Sequence, residues 1–68
     1  MQLTLESEQE SDGRWLAEVP EIPGALAYGA TRSTAMAKAE ALALRALAER
    51  LEHGEAGPMA IQFRLAAE

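Results

Sequence analysis

The sequence predicts an α+β domain, a two-layer β-β-β-α-β arrangement in which one mixed sheet carries one helix on a face. Three observations predict it. Polar and apolar residues alternate in short runs up to Tyr28, an unbroken alanine-rich segment follows, and alternation returns after Gly57. Alternation with a period of two marks a half-buried strand, and a long run of strong helix formers marks a helix.

The first strand places Leu3 and Leu5 on one face and Thr4 and Glu6 on the other. The run then becomes wholly polar and reaches Asp12-Gly13, a dipeptide that favours a hairpin because both residues tolerate positive φ. Trp15, Ala17 and Val19 share one face of a second strand, with Leu16 and Glu18 on the other. Pro20 and Pro23 lack the N–H that a central strand donates, so "PEIPG" interrupts the ladder, and Gly24 supplies an unusual backbone angle. "ALAY", Ala25 to Tyr28, reads as a third strand closed by Gly29.

Thr31 and Ser33 are both candidate N-caps, and nothing from there to His53 breaks a helix, which Gly54 ends. Met36, Ala39, Ala43, Ala46 and Leu47 form the stripe expected against the sheet, with Lys38, Arg45, Glu49 and Glu52 opposite. Ala37, Ala41, Leu44 and Ala48 form a further apolar flank that burial within one chain does not absorb. "GEAGP" is a loop, after which Met59, Ile61, Phe63 and Leu65 alternate with Ala60, Gln62 and Arg64 in a last strand. Because that strand follows a helical crossover, it can pair in parallel with a strand of the meander.

A chain of 68 residues is expected to be a single domain, residues 1–68, with a core near the lower limit of independent stability. Small domains are commonly reinforced by disulfides, a metal or a second subunit. With no cysteine and His53 as the one histidine, disulfides and a sulfur-bound zinc are excluded, and no cofactor is expected. Oligomerisation remains: a homodimer or higher even oligomer through Ala41, Leu44 and Ala48. No apolar run is long enough to span a membrane, and the N-terminus has neither a basic nor an apolar leader region, so a cytoplasmic protein is expected.

The formal net charge of -5 repels phosphate backbones and raises the rate of encounter with basic partners. Arg14, Arg32, Arg45, Arg50 and Arg64 are dispersed and form no basic stripe, and Trp15 and Tyr28 are isolated aromatics, so both are assigned to core packing rather than base stacking. Direct nucleic-acid binding is not expected. Asp12, Glu18 and Glu21 could form the carboxylate cluster of a two-metal nuclease. Each has a simpler use: Asp12 in the hairpin, Glu18 facing outward from a strand, Glu21 in an exposed turn. Glu6, Glu8 and Glu10 share a strand face as an acidic stripe. His53 suits a helix C-terminus, where a cation and a donor are both favoured. The glycines match no phosphate-binding pattern, and the expectation is a protein without enzymatic activity.

The stretch "GRWLAEVPEIPGALAYGATR" followed by an alanine-rich helix resembles the HicB-like antitoxin family of HicAB toxin–antitoxin systems. In that family an aromatic residue precedes "AEVPELPG", then come a short strand, a glycine, a helix-starting threonine and a helix with spaced apolar residues. The matching positions here are Trp15, Ala17 to Gly24, Gly29, Thr31, Ala35, Met36 and Ala39. Ser33 and Thr34 stand where acidic residues are common in the family, and Ala25 where cysteine is frequent. The resemblance implies a fold similar to part of ribonuclease H. It also implies a protein-binding module that neutralises a small basic HicA-like RNA-cleaving toxin, with Glu18 and Glu21, in the best-matched segment, as the candidate partner-binding residues. Family members usually continue into an operator-binding segment, so a single domain without a C-terminal DNA-binding domain is expected here. Two alternatives stand beside the antitoxin-type module: an orphan relative with another partner, and a metal-dependent nuclease.

Overall fold

A computed structural model describes residues 1–66 and arranges five elements in chain order: β1 (Gln2–Gln9), β2 (Trp15–Glu18), β3 (Leu26–Gly29), α1 (Arg32–Glu52) and β4 (Gln62–Leu65). The strands form one mixed sheet in the order β3-β2-β1-β4. β1 pairs antiparallel with β2, β2 antiparallel with β3, and β4 parallel with β1 after the helical crossover. This is the α+β, β-β-β-α-β architecture expected from the residue pattern.

The β1–β2 hairpin closes with Glu10 N–H donating to the Arg14 carbonyl at 2.7 Å and Gly13 N–H donating to the Glu10 carbonyl at 3.0 Å. Only Gly13 takes positive φ among the hairpin residues, at 92°. The loop is therefore the three-residue kind, a turn followed by a left-handed glycine, rather than the two-residue turn with both residues left-handed. Asp12 acts through its side chain instead, accepting from Arg14 N–H at 3.1 Å and Arg14 Nε at 3.0 Å.

"PEIPG" makes two successive turns: Ile22 N–H donates to the Val19 carbonyl and Ala25 N–H to the Ile22 carbonyl, both at 3.0 Å. The second has Pro23 followed by Gly24 at φ 86°, the residue order of a type II turn. Between them Ile22 folds back and is buried with Val19 and Ala25. Val19 N–H bonds the Ala25 carbonyl, which makes Ala25 the closing residue of the loop and starts β3 at Leu26. β4 likewise begins later than its alternation suggests. Its Gln62 N–H donates to the Met1 carbonyl at 2.9 Å, and Met59 and Ile61, ahead of the strand, pack on the core.

α1 is capped by Thr31, whose side chain accepts from Thr34 N–H at 3.1 Å. It ends with Glu55 N–H donating to the Arg50 carbonyl at 2.9 Å and Gly54 N–H to the Leu51 carbonyl at 3.3 Å, around Gly54 at φ 72°. That pair of bonds is the Schellman arrangement. Ala35, Met36, Ala39, Ala43 and Leu47 are buried beneath the helix against Leu3, Leu5, Ala17, Val19, Ile22 and Ala25. Small residues on this face let the backbones approach closely. A Cβ placed on Gly29 would lie 2.7 Å from the Ala35 nitrogen, so the first turn of α1 rests on the backbone of β3. The helix comes within 8 Å, Cα to Cα, of β3, β2 and β1 but not of β4.

Candidate protein-binding surfaces

Strand alternation divides the sheet into two faces, and α1 covers one of them. The open face carries Thr4, Glu6 and Glu8 from β1, Leu16 and Glu18 from β2, Leu26 and Tyr28 from β3, and Arg64 from β4. Register sets these in rows. Glu6 stands across from Glu18 and Glu18 from Leu26; Glu8 stands across from Leu16 and Leu16 from Tyr28. Leu26 is 45% and Tyr28 43% exposed. The Arg14 guanidinium lies 4.6 Å from the Tyr28 ring centre, a cation–π contact at the edge of the patch. Glu6, Ser7, Glu8, Leu16 and Glu18 line a shallow hollow of about 100 Å³.

Like charges directly opposite on neighbouring strands are destabilising. Glu6 and Glu18 stand in that relation, and among the described residues no hydrogen bond or ion pair reaches the carboxylates of Glu6, Glu8 or Glu18. Of the nearby cations, Arg14 pairs with Asp12, whose carboxyl is held below the usual carboxylate range first by the Arg14 N–H bond and also by the guanidinium, and Arg64 stands across from Thr4 on the far side of β1 from β2.

Glu21 differs from Glu18. Even-numbered β1 residues bond towards β2, and the chain leaves that ladder at Pro20, so Thr4 has lost its strand partner. Glu21 replaces it. Its carboxylate accepts from Thr4 N–H at 3.0 Å and from Thr4 Oγ1 at 2.8 Å. These bonds, the backbone one foremost, hold its pKa below the usual glutamate value, with a further contribution from the Arg64 charge. Glu18 and Glu21 thus both belong to the open side of the sheet, one carboxylate unengaged and the other tied to β1.

No family model, curated protein or solved structure matches this chain.

The flank expected as an oligomer interface lies on the solvent side of α1, where Leu44 is 41% exposed, Ala48 exposed and Ala41 half-buried. Leu51, 38% exposed, extends it by one turn. A second groove of about 430 Å³ opens where the helix stops short of β4, floored by Leu5 and Met36 and flanked by Leu65, which is 62% exposed.

The remaining residues considered for chemistry are dispersed. Asp12 is in the hairpin, Glu18 on the open face and Glu21 in the turn; among the described residues no three His, Cys, Asp or Glu are grouped to hold a metal ion. His53 is the C-cap of α1, its N–H bonded to the Glu49 carbonyl at 3.0 Å. No helix among the described residues is long and apolar enough to cross a membrane. One assignment is corrected: Tyr28 is on the open face, not in the core, because β3 turns Ala27 towards the helix and Tyr28 away from it. Trp15 is half-buried and packs against the core from its rim.

Proposed function

We propose that this chain is a HicB-like protein-binding module that neutralises a small basic HicA-like RNA-cleaving toxin. The observation that carries this reading is the segment from Trp15 to Ala39, whose family-like residues each have a local structural use. Val19 and Ile22 enter the core, Pro23-Gly24 forms the turn, Gly29 seats the helix, and Thr31 caps it. That each of these residues has such a use supports the family reading. The charge of -5 supports a basic partner by the same reasoning: complementary potential accelerates encounter, and a toxin whose RNA-binding surface is covered has no access to substrate.

The module acts in the cytoplasm, without nuclease activity and without affinity for nucleic acid of its own. It works as a homodimer or higher even oligomer, joined through the Ala41–Leu44–Ala48 flank. The experiment is co-purification with whichever short basic protein is encoded in an adjacent reading frame, followed by an RNA-cleavage assay of that protein with and without the module. Stable association with suppressed cleavage is expected. Failure to associate at micromolar concentration overturns the toxin reading and leaves an orphan HicB relative. Retention of duplex DNA on filters at low salt, where phosphate contacts are strongest, would overturn the exclusion of nucleic acid.

A further inference from the structure

We infer that the open face of the sheet is the docking surface, and that its occupant is an extended or amphipathic segment of a basic protein that sets Lys or Arg against Glu6, Glu8 and Glu18 and an apolar side chain against Leu16, Leu26 and Tyr28. This rests on the partner-binding function proposed above and commits it to one surface and one chemistry.

Three features of the face lead there. The first is the Glu6–Glu18 opposition, which costs the isolated module stability and is relieved by a cation placed between the two carboxylates. The second is the apolar half of the same rows, where Leu26 and Tyr28 are among the most exposed large side chains and sit across the strand pairs from the acids. The third is the sign of the charge. A second copy of this chain, itself carrying -5, would bring three more carboxylates against three, and a nucleic acid would bring phosphates. A basic protein is the partner whose charge complements the face. The helix side offers no comparable match, because Lys38, Arg45 and Arg50 there alternate with Glu49 and Glu52.

A defined probe separates this surface from the identity of the toxin: a synthetic peptide alternating lysine and leucine, titrated into the full chain while backbone amide shifts are followed by NMR. Shifts are expected at Glu6, Glu8, Leu16, Glu18 and Tyr28. The triple variant Glu6→Gln, Glu8→Gln, Glu18→Gln is expected to bind at least tenfold more weakly. A control with the same net charge, Glu49→Gln, Glu52→Gln, Glu55→Gln, is expected to stay within twofold of the parent, with circular dichroism verifying that both variants remain folded. Equal weakening in the two variants, or shifts confined to α1, would overturn the inference. If the peptide maps to the open face but the basic neighbour does not bind, the toxin reading fails and the surface stands; if the neighbour binds and the triple variant binds it equally well, the surface fails and the toxin reading stands.

Discussion

The two faces of the sheet are made by the same strands, yet they solve opposite problems. On the covered face Leu3, Leu5, Ala17 and Val19 are all at most 2% exposed and meet the alanine-lined underside of α1. On the open face the intervening residues bring two glutamates into direct opposition and leave Leu26 and Tyr28 in contact with solvent. Residues that alternate along one strand therefore divide into a set chosen for burial and a set whose arrangement the isolated fold does not favour. The contrast locates stability on one side and leaves the other as the proposed recognition face.

Damage to the covered face should have the largest effect. Leu47 is 1% exposed at the centre of the core, and Leu47→Ala should destabilise by about 2–5 kcal/mol through lost burial and a residual cavity. Since a core of this size supplies only a few kcal/mol in all, chemical denaturation should show most of the chain unfolded without denaturant. A normal transition midpoint would mean that the underside of α1 is not the principal source of stability.

Gly29→Ala tests the same face at its tightest point. The added Cβ meets backbone, the Ala35 nitrogen, which cannot rotate away, so a loss of about 1–3 kcal/mol is expected from thermal unfolding. An unchanged midpoint would show that α1 can lift off β3 freely.

The residue pattern made the covered face legible: period two for the strands, the helical stripe for α1, and Asp-Gly and Pro-Gly for the turns. It placed the stripe residues Met36, Ala39, Ala43, Ala46 and Leu47 against the sheet, where four of them are buried and Ala46 packs half-buried at the edge of the core. It missed Tyr28, because a four-residue apolar strand such as "ALAY" has no polar alternation to say which side faces out. It also missed the use of Glu21, since the need for it arises only when Pro20 removes the partner of Thr4, a relation between residues 17 positions apart. Glu18 was readable as outward-facing. Its opposition to Glu6 was not, because register depends on the length of the hairpin loop, which turned out to have three residues.

A smaller effect separates the tied carboxylate from the unengaged ones. The pKa of Glu21 is lowered in the folded chain, so its bonds to Thr4 contribute stability above the unfolded value of 4.5, and that contribution is lost as pH falls through the lower folded value. Asp12 adds a contribution of the same sign, present above 3.8. Thermal midpoints recorded from pH 6 down to pH 3 should therefore fall less steeply in Glu21→Gln than in the parent. Parallel curves would contradict the role given to the Thr4–Glu21 bonds.

The contrast between the faces is tested most directly at Glu18, by measuring the thermal midpoint and the association rate with the alternating lysine–leucine peptide for the single variant Glu18→Gln. Removing one of two opposed carboxylates should stabilise the free module by about 0.2–1 kcal/mol, the usual range for cross-strand pairs. The same change should slow association and reduce its dependence on salt, because it removes a charge that steers the partner. A higher midpoint together with slower association is the predicted result; a lower midpoint, or an association rate equal to that of the parent, would contradict the division of the sheet into a stabilising and a recognising face.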